Sequence, residues 1–249
     1  MISAHPAVET SGKAEREAFG LVGQIWLRPS GNREPSRVQE GEALENIGLA
    51  GDCHADVCSP RQLLLVKDTI YKRLELQPGS LRENLRLEGD IRLEPGAVIA
   101  IGQSVLLWLT FECEVCSRLN KYRPDLMNEV GAGRGVLARV LSGGHFSVGD
   151  AVLLIGRMAR QFPVSWRLRI AEVVRSVPDD HVIEYGQLAR LAGVPRSYCR
   201  VFPRVLQEVA RPLASKAVSR GESPEKRRWT GQTLYIEHAT EGWALLPTG

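Results

Sequence analysis

The chain of 249 residues predicts a mixed fold: an amino-terminal, mostly-β barrel followed by a carboxyl-terminal, mostly-α winged helix-turn-helix domain. Three observations predict it. Up to residue 155 the apolar residues come in short runs separated by glycine and proline, as in many short strands. After Gly156 the apolar period becomes helical. The charge balance changes there too. Residues 1–155 carry 17 Lys+Arg against 20 Asp+Glu, and residues 156–249 carry 15 against 9. The boundary falls at residues 157–163, giving domains at 20–156 and 160–249.

The elements follow in order. Residues 1–19 contain Glu9, Glu15 and Glu17 and no apolar core of signal-peptide length, so they read as a loose tail on a cytoplasmic protein. Apolar runs at 21–27, 62–66, 98–101, 104–110, 136–140 and 151–155 predict strands. Residues 68–76 and 123–130 predict short helices. Further on, Trp166, Ile170, Val173, Val174 and Val177 form one apolar helical face, and Pro178 ends it. A short helix is expected at 186–192, closed by Gly193 with Pro195 beyond. A third is expected at 197–209, with Val201, Phe202, Val205, Leu206 and Val209 inward. A strand at 233–237 completes the winged outline.

Composition narrows the function classes. Hydrophobic residues at 43% and charged residues at 24% are those of an ordinary soluble domain. No apolar stretch reaches the roughly 18 residues of a membrane span. Five cysteines without a regular framework read as free thiols, metal ligands or a catalytic group. The basic final third suits a polyanion, nucleic acid first; the alternative is a solvated basic surface.

Cys116 is the most informative residue. It precedes the glycine-rich turn Gly133-Arg134-Gly135-Val136, so a sulfur is followed by backbone donors and a fixed positive charge. Around it run Gly48-Leu49-Ala50-Gly51-Asp52 with His54-Ala55, Arg61-Gln62-Leu63, Pro78-Gly79 with Glu83-Asn84, Cys116-x-x-Leu119, and Arg139-Val140, Gly143-Gly144 and Gly149-Asp150. In this order, residues 20–155 resemble the MOSC domain, the module named for the carboxyl-terminal part of molybdenum-cofactor sulfurases. The resemblance implies a compact β-barrel and a role in sulfur handling or molybdenum-cofactor binding, on a small, nucleobase-like substrate or with a sulfur donor. It implies Cys116 and His54 as catalytic residues, and Arg61, Asn84, Arg134 and Asp52 as cofactor-binding ones. Molybdopterin carries a phosphate and dithiolene sulfurs, which call for positive charge and a soft ligand.

One departure leaves an alternative open. Val115 stands where relatives usually have proline, and Cys113 makes a Cys-x-x-Cys pair with Cys116. With Cys53 and Cys58, the pair offers four thiolates for zinc. Cys116 would then be structural.

Residues 162–222 resemble a second family, through Val177-Pro178 and Val182-Ile183-Glu184-Tyr185-Gly186-Gln187-Leu188-Ala189 with Ala192-Gly193. The likeness is to the DNA-binding half of alkylguanine-DNA alkyltransferases and to alkyltransferase-like proteins. It implies Tyr185 against a nucleotide phosphate and Arg200 in the gap left by a flipped base. Arg196, Arg200 and Arg204 would share one face of a continuous helix and meet phosphates. Lys226-Arg227-Arg228 is a further phosphate contact or a solvated wing loop, and Trp229 and Trp243 are packing residues. The stretch Ala214-Ser215-Lys216-Ala217-Val218 lacks the family's acceptor cysteine, so alkyl transfer is not expected.

Overall fold

The computed structural model describes residues 19–31, 34–222 and 225–241. Of the tail expected at 1–19, residues 1–18 lie outside them, as does Trp243, while the Phe19 N–H donates to the Val152 carbonyl at 3.2 Å. The amino-terminal part holds β1 (Gly20–Leu27), β2 (Ser36–Val38), β3 (Glu40–Leu44), β4 (Gly48–Leu49), β5 (Leu63–Lys67), α1 (Asp68–Leu74), β6 (Leu85–Glu88), β7 (Ala97–Ile101), β8 (Val105–Glu112), α2 (Leu126–Val130), β9 (Val136–Ser142), β10 (Gly144–Ser147) and β11 (Ala151–Arg157). The carboxyl-terminal part holds α3 (Trp166–Arg175), β12 (His181–Glu184), α4 (Tyr185–Leu191), α5 (Phe202–Val209), β13 (Ala217–Val218), β14 (Arg227–Arg228) and α6 (Leu234–Glu241).

The large sheet runs β11-β7-β8-β9-β5-β6-β1-β2, and β1 also pairs with β11, so seven strands close into a barrel with β2 on its margin. Closure removes the exposed strand edges that an open sheet would present. The six apolar runs all lie in barrel strands. Alternating side chains point inward, and Ile25, Leu65, Leu85, Ile99, Leu107 and Ala138 fill the interior with no exposure above 1%. The short strands β2, β3, β4 and β10 carry few apolar residues, so their pattern is invisible until a partner pairs with them. Within the large sheet only β5 and β6 run parallel, and the connection between them carries α1.

Beyond the linker, the helical face predicted from Trp166 becomes α3, with Ile170, Val173 and Val174 buried. Three expectations are corrected. Residues 233–237 are not a strand: they lie in α6 and the turn before it, where Leu234 and Tyr235 are buried and pack on α3 and α4 side chains. The helix expected at 197–209 is broken. A 3₁₀ turn spans Arg196–Val201 and α5 starts at Phe202, because Pro203 lacks an N–H and fits only a first turn. Arg196, Arg200 and Arg204 therefore do not form one helical stripe. Finally, Arg227 and Arg228 are in a strand parallel to β12, with Arg228 ion-paired to Glu184 and Lys226 bonded to the Asp179 carbonyl at 2.6 Å.

The two parts share a core. Cys58, from the loop before β5, is fully buried among Ile170, Leu188, Leu191 and Phe202 of the helical part. Phe162 of the linker packs against Trp108, Phe111 and Tyr235 at centroid distances of 4.8, 5.8 and 5.3 Å. Two buried arginines tie across. Arg139 of β9 donates to the carbonyls of Val57 and Ser59 and stacks on Tyr235, 4.6 Å from its centroid; burial pulls its guanidinium down to about 10. Arg169 of α3 lies 3.8 Å over Phe111, donates to the Ala192 carbonyl at 3.0 Å and pairs with Glu114 at 3.1 Å.

Gly193 sits at this junction with φ +63°. A Cβ there would stand 2.8 Å from Phe111 and from Pro60. Gly193→Ala is expected to lower stability by roughly 2–3 kcal/mol, from left-handed strain plus overpacking. Thermal unfolding checks it; an unchanged melting temperature would mean the junction can yield.

Candidate functional site

The strand registers put several of the predicted residues, together with Arg28, on one barrel rim. Ile25 pairs with Leu85, Leu85 and Val136 both pair with Leu65, and Val136 pairs with Glu112. Arg28 just after β1, Asn84 just before β6, Cys113 just after β8 and Arg134 just before β9 therefore meet at one end. Gly135 is needed there: with φ +103°, its Cα lies so near β5 that a Cβ would stand 2.3 Å from the Leu65 carbonyl.

Beneath this rim lies a buried polar network. The Asp52 carboxylate accepts from the Arg28 N–H at 2.9 Å, the Asn84 side-chain amide at 2.8 Å and the His54 N–H at 2.9 Å, and it lies 3.0 Å from His54 Nδ1. Burial alone would raise this carboxyl. The His54 hydrogen bonds and the Arg28 charge outweigh burial and hold it at about 2, below its ordinary 3.8. Asn84 is fully buried. It accepts from Leu64 N–H at 3.0 Å and from Arg28, and donates to Asp52 and to the Trp26 carbonyl. Arg82 is held at φ +55°, and its carbonyl accepts from Arg28. Asp52 and Asn84, read as cofactor-binding, thus spend their hydrogen bonds inside the protein. They position Arg28 and His54 rather than offering free polar groups.

Above the network opens a cavity of about 120 Å³, bordered by His54, Arg61, Arg82, Cys116, Arg118 and Arg134. It continues into a wider cleft of about 730 Å³ between the barrel rim and the helical part. Arg61, Cys113, Cys116, Arg118 and Arg134 border both spaces, and Arg190, Arg196 and Tyr198 form the far wall. Cys116 is exposed at the start of a 3₁₀ turn. Among the described residues, the guanidiniums of Arg82, Arg118 and Arg196 have no hydrogen bond or ion pair. Arg134 donates to the Leu81 carbonyl, while its buried Nε has no partner. Arg61 bridges the two parts, donating to the Gly193 carbonyl at 3.0 Å and toward Cys113 Sγ at 3.9 Å. Arg190 is neutralised by a two-pronged bond to Asp56, both contacts at 2.6 Å.

The structure brings Cys116, His54, Arg61 and Arg134 to one cavity. The four-thiolate zinc site does not form. Cys58 points away into the helical core, where Gln187 Nε2 lies 3.3 Å from its sulfur. Among the described residues, the only group of three or more potential ligands with all atoms within 4.8 Å is Asp52, Cys53 and His54. The residues assigned to nucleic acid also separate. Arg196 faces the cleft of Cys116, whereas Arg204 is exposed and pairs with Glu208 at 3.1 Å. Tyr185 is half-buried, edge-on to Phe202. Sequence reasoning missed Arg28, Arg82 and Arg118. Arginine at a strand end or in a loop carries no periodic signal, and only the barrel registers bring these three together.

The residues fit an anionic, sulfur-rich group: an exposed soft ligand stands among guanidiniums free to take phosphate or other oxyanions. Among known proteins, the family model described as MOSC domain matches residues 51–153. YiiM from Geobacillus stearothermophilus is similar in structure, with 16% identity over 75% of this chain and 99% of that one and a TM-score of 0.48. YiiM from Escherichia coli gives 18% identity over 73% and 90%, with a TM-score of 0.43. The YuaD protein from Bacillus subtilis gives 16% over 54% and 94%, with a TM-score of 0.47. No curated protein matches the chain. Among the described residues, no helix is long and apolar enough to cross a membrane.

Proposed function

We propose that the MOSC domain at residues 51–153 uses Cys116 for sulfur or molybdenum chemistry in the cleft it shares with the helical part. The observation that carries this reading is the exposed Cys116 thiol among unpaired guanidiniums. A bound molybdenum cofactor would supply the redox chemistry. Cys116 would hold its metal, and Arg118, Arg82 and Arg134 would hold its phosphate. As a sulfur carrier, Cys116 would take a sulfane sulfur from a donor and pass it on. His54 borders the cavity with Nδ1 beside Asp52, and in this reading it would exchange a proton with a substrate. Tyr198 and Arg196 on the far wall suit a small planar, nucleobase-like substrate, since guanidinium and phenol both stack on such rings. Free thiols suit a reducing, cytoplasmic setting.

The DNA-binding alternative for the helical part is weaker. Its arginine stripe is interrupted by the 3₁₀ turn, and Arg196 belongs to the cleft. Arg118→Ala tests the anion-binding half of the reading. It is expected to weaken binding of inorganic pyrophosphate, measured by calorimetry, about tenfold to a hundredfold, the loss of one charge-assisted contact. Equal affinity would remove Arg118 from the ligand shell.

A further inference from the structure

We infer that Cys113 is a second catalytic thiol, which resolves a persulfide on Cys116 and releases its outer sulfur as sulfide. The inference rests on the sulfur-carrying reading of Cys116 and deepens it. Both thiols are free, and both border the cavity and the wider cleft. They differ in access: Cys116 is exposed, where a sulfur donor can reach it, and Cys113 is 7% exposed. The segment joining them is anchored at both ends. Cys113 N–H donates to the Gly135 carbonyl at 2.8 Å, and the Cys116 carbonyl accepts from Leu119 N–H at 3.1 Å. Between them Glu114 is clamped by Arg169. Cys-x-x-Cys is the spacing at which one chain closes a reversible disulfide. Arg61 directs a charged donor at Cys113 Sγ, the side chain that must carry negative charge to attack.

The step balances. Cys113 thiolate attacks the inner sulfur, Sγ of Cys116. A bond forms between the two Sγ atoms, the bond from Cys116 Sγ to the outer sulfur breaks, and the electron pair leaves with that sulfur as HS⁻. The two cysteines are oxidised by the two electrons that the sulfane sulfur gains. An external thiol or dithiol then reduces the disulfide and resets the pair. Sulfur therefore leaves as sulfide, ready to bind a metal, rather than as sulfane sulfur passed to an acceptor thiol.

The test loads the full chain with inorganic polysulfide, removes the excess, and follows sulfide release and the state of each cysteine by peptide mass spectrometry. Wild type is expected to release sulfide in step with a Cys113–Cys116 disulfide. Cys113→Ala is expected to keep the added sulfur on Cys116 and to release sulfide at least about tenfold more slowly. If Cys113→Ala does not fold, the linked 113–116 peptide in wild type decides alone. A wild-type persulfide as long-lived as that of Cys113→Ala, or sulfide without the disulfide, overturns the resolving role and leaves Cys116 as carrier. Failure to load Cys116 in either protein overturns the carrier reading and this inference with it.

Discussion

Cys116→Ala is expected to abolish sulfur loading and molybdenum retention while leaving the fold intact. The loss should be at least about 10³-fold, the scale seen when a reacting nucleophile is removed. The side chain is exposed and makes no hydrogen bond among the described residues, so stability should stay within about 0.5 kcal/mol of wild type. Elemental analysis for molybdenum and mapping of persulfide on the purified protein, beside thermal unfolding, separate the two effects. Cys113→Ala, with Cys116 still loadable, serves as the neighbouring control. If Cys116→Ala retains metal and sulfur at wild-type levels, the cleft chemistry runs through another group, and the exposed Cys53 beside His54 becomes the next thiol to remove.

Asp52→Ala should be the most destabilising change at the rim. Its carboxylate meets Arg28, Asn84 and His54 with no exposed side-chain surface, so its removal strands a buried guanidinium whose Nε already lacks a hydrogen bond. A cost of about 3–5 kcal/mol follows, a drop in melting temperature on the order of 10 °C for a chain this size. The effect should also show in the acid limb of stability. The Asp52 carboxyl is held at about 2 in the folded chain against 3.8 ordinarily. The unfolded state therefore binds the proton first as pH falls. The stabilisation, on the order of 2 kcal/mol, is complete above about pH 4 and disappears as pH falls through about 2. Denaturant titrations of wild type and Asp52→Asn between pH 2 and 6 read this difference directly. Equal slopes for the two proteins across that window would show that Asp52 does not carry the linkage.

The barrel was legible because burial in a closed sheet writes itself into the chain. The six apolar runs between glycines and prolines are six of its strands, and the inward positions are the apolar ones. Strands such as Gly48–Leu49 and Ser36–Val38 were not legible, since two or three residues held mainly by a partner's hydrogen bonds leave no period to read. The helical part was legible through α3 and α4. It failed at residues 233–237, where a short run of β-branched, aromatic and aliphatic residues looks like a strand until Tyr235 is seen packed on Arg139 and Phe162.

The candidate site divides in the same way. Cys116, His54, Arg61 and Arg134 stand in short motifs whose residue types announce sulfur and anion chemistry, so the sequence by itself pointed to the proposed kind of site and to Cys116 as its candidate reactive atom. Only the tertiary structure showed that the Asp52 and Asn84 side chains are hydrogen-bonded within the protein, because satisfaction of a buried polar group depends on partners brought from other strands. It also placed Cys58 in the core of the helical part rather than at the rim with Cys113 and Cys116, and it set Arg82 at the cavity, Arg196 at the wider cleft and Arg118 at both, from three unrelated segments. Local chemistry is encoded within a few residues; convergence of distant charges is encoded only in how the barrel closes and what packs against its rim.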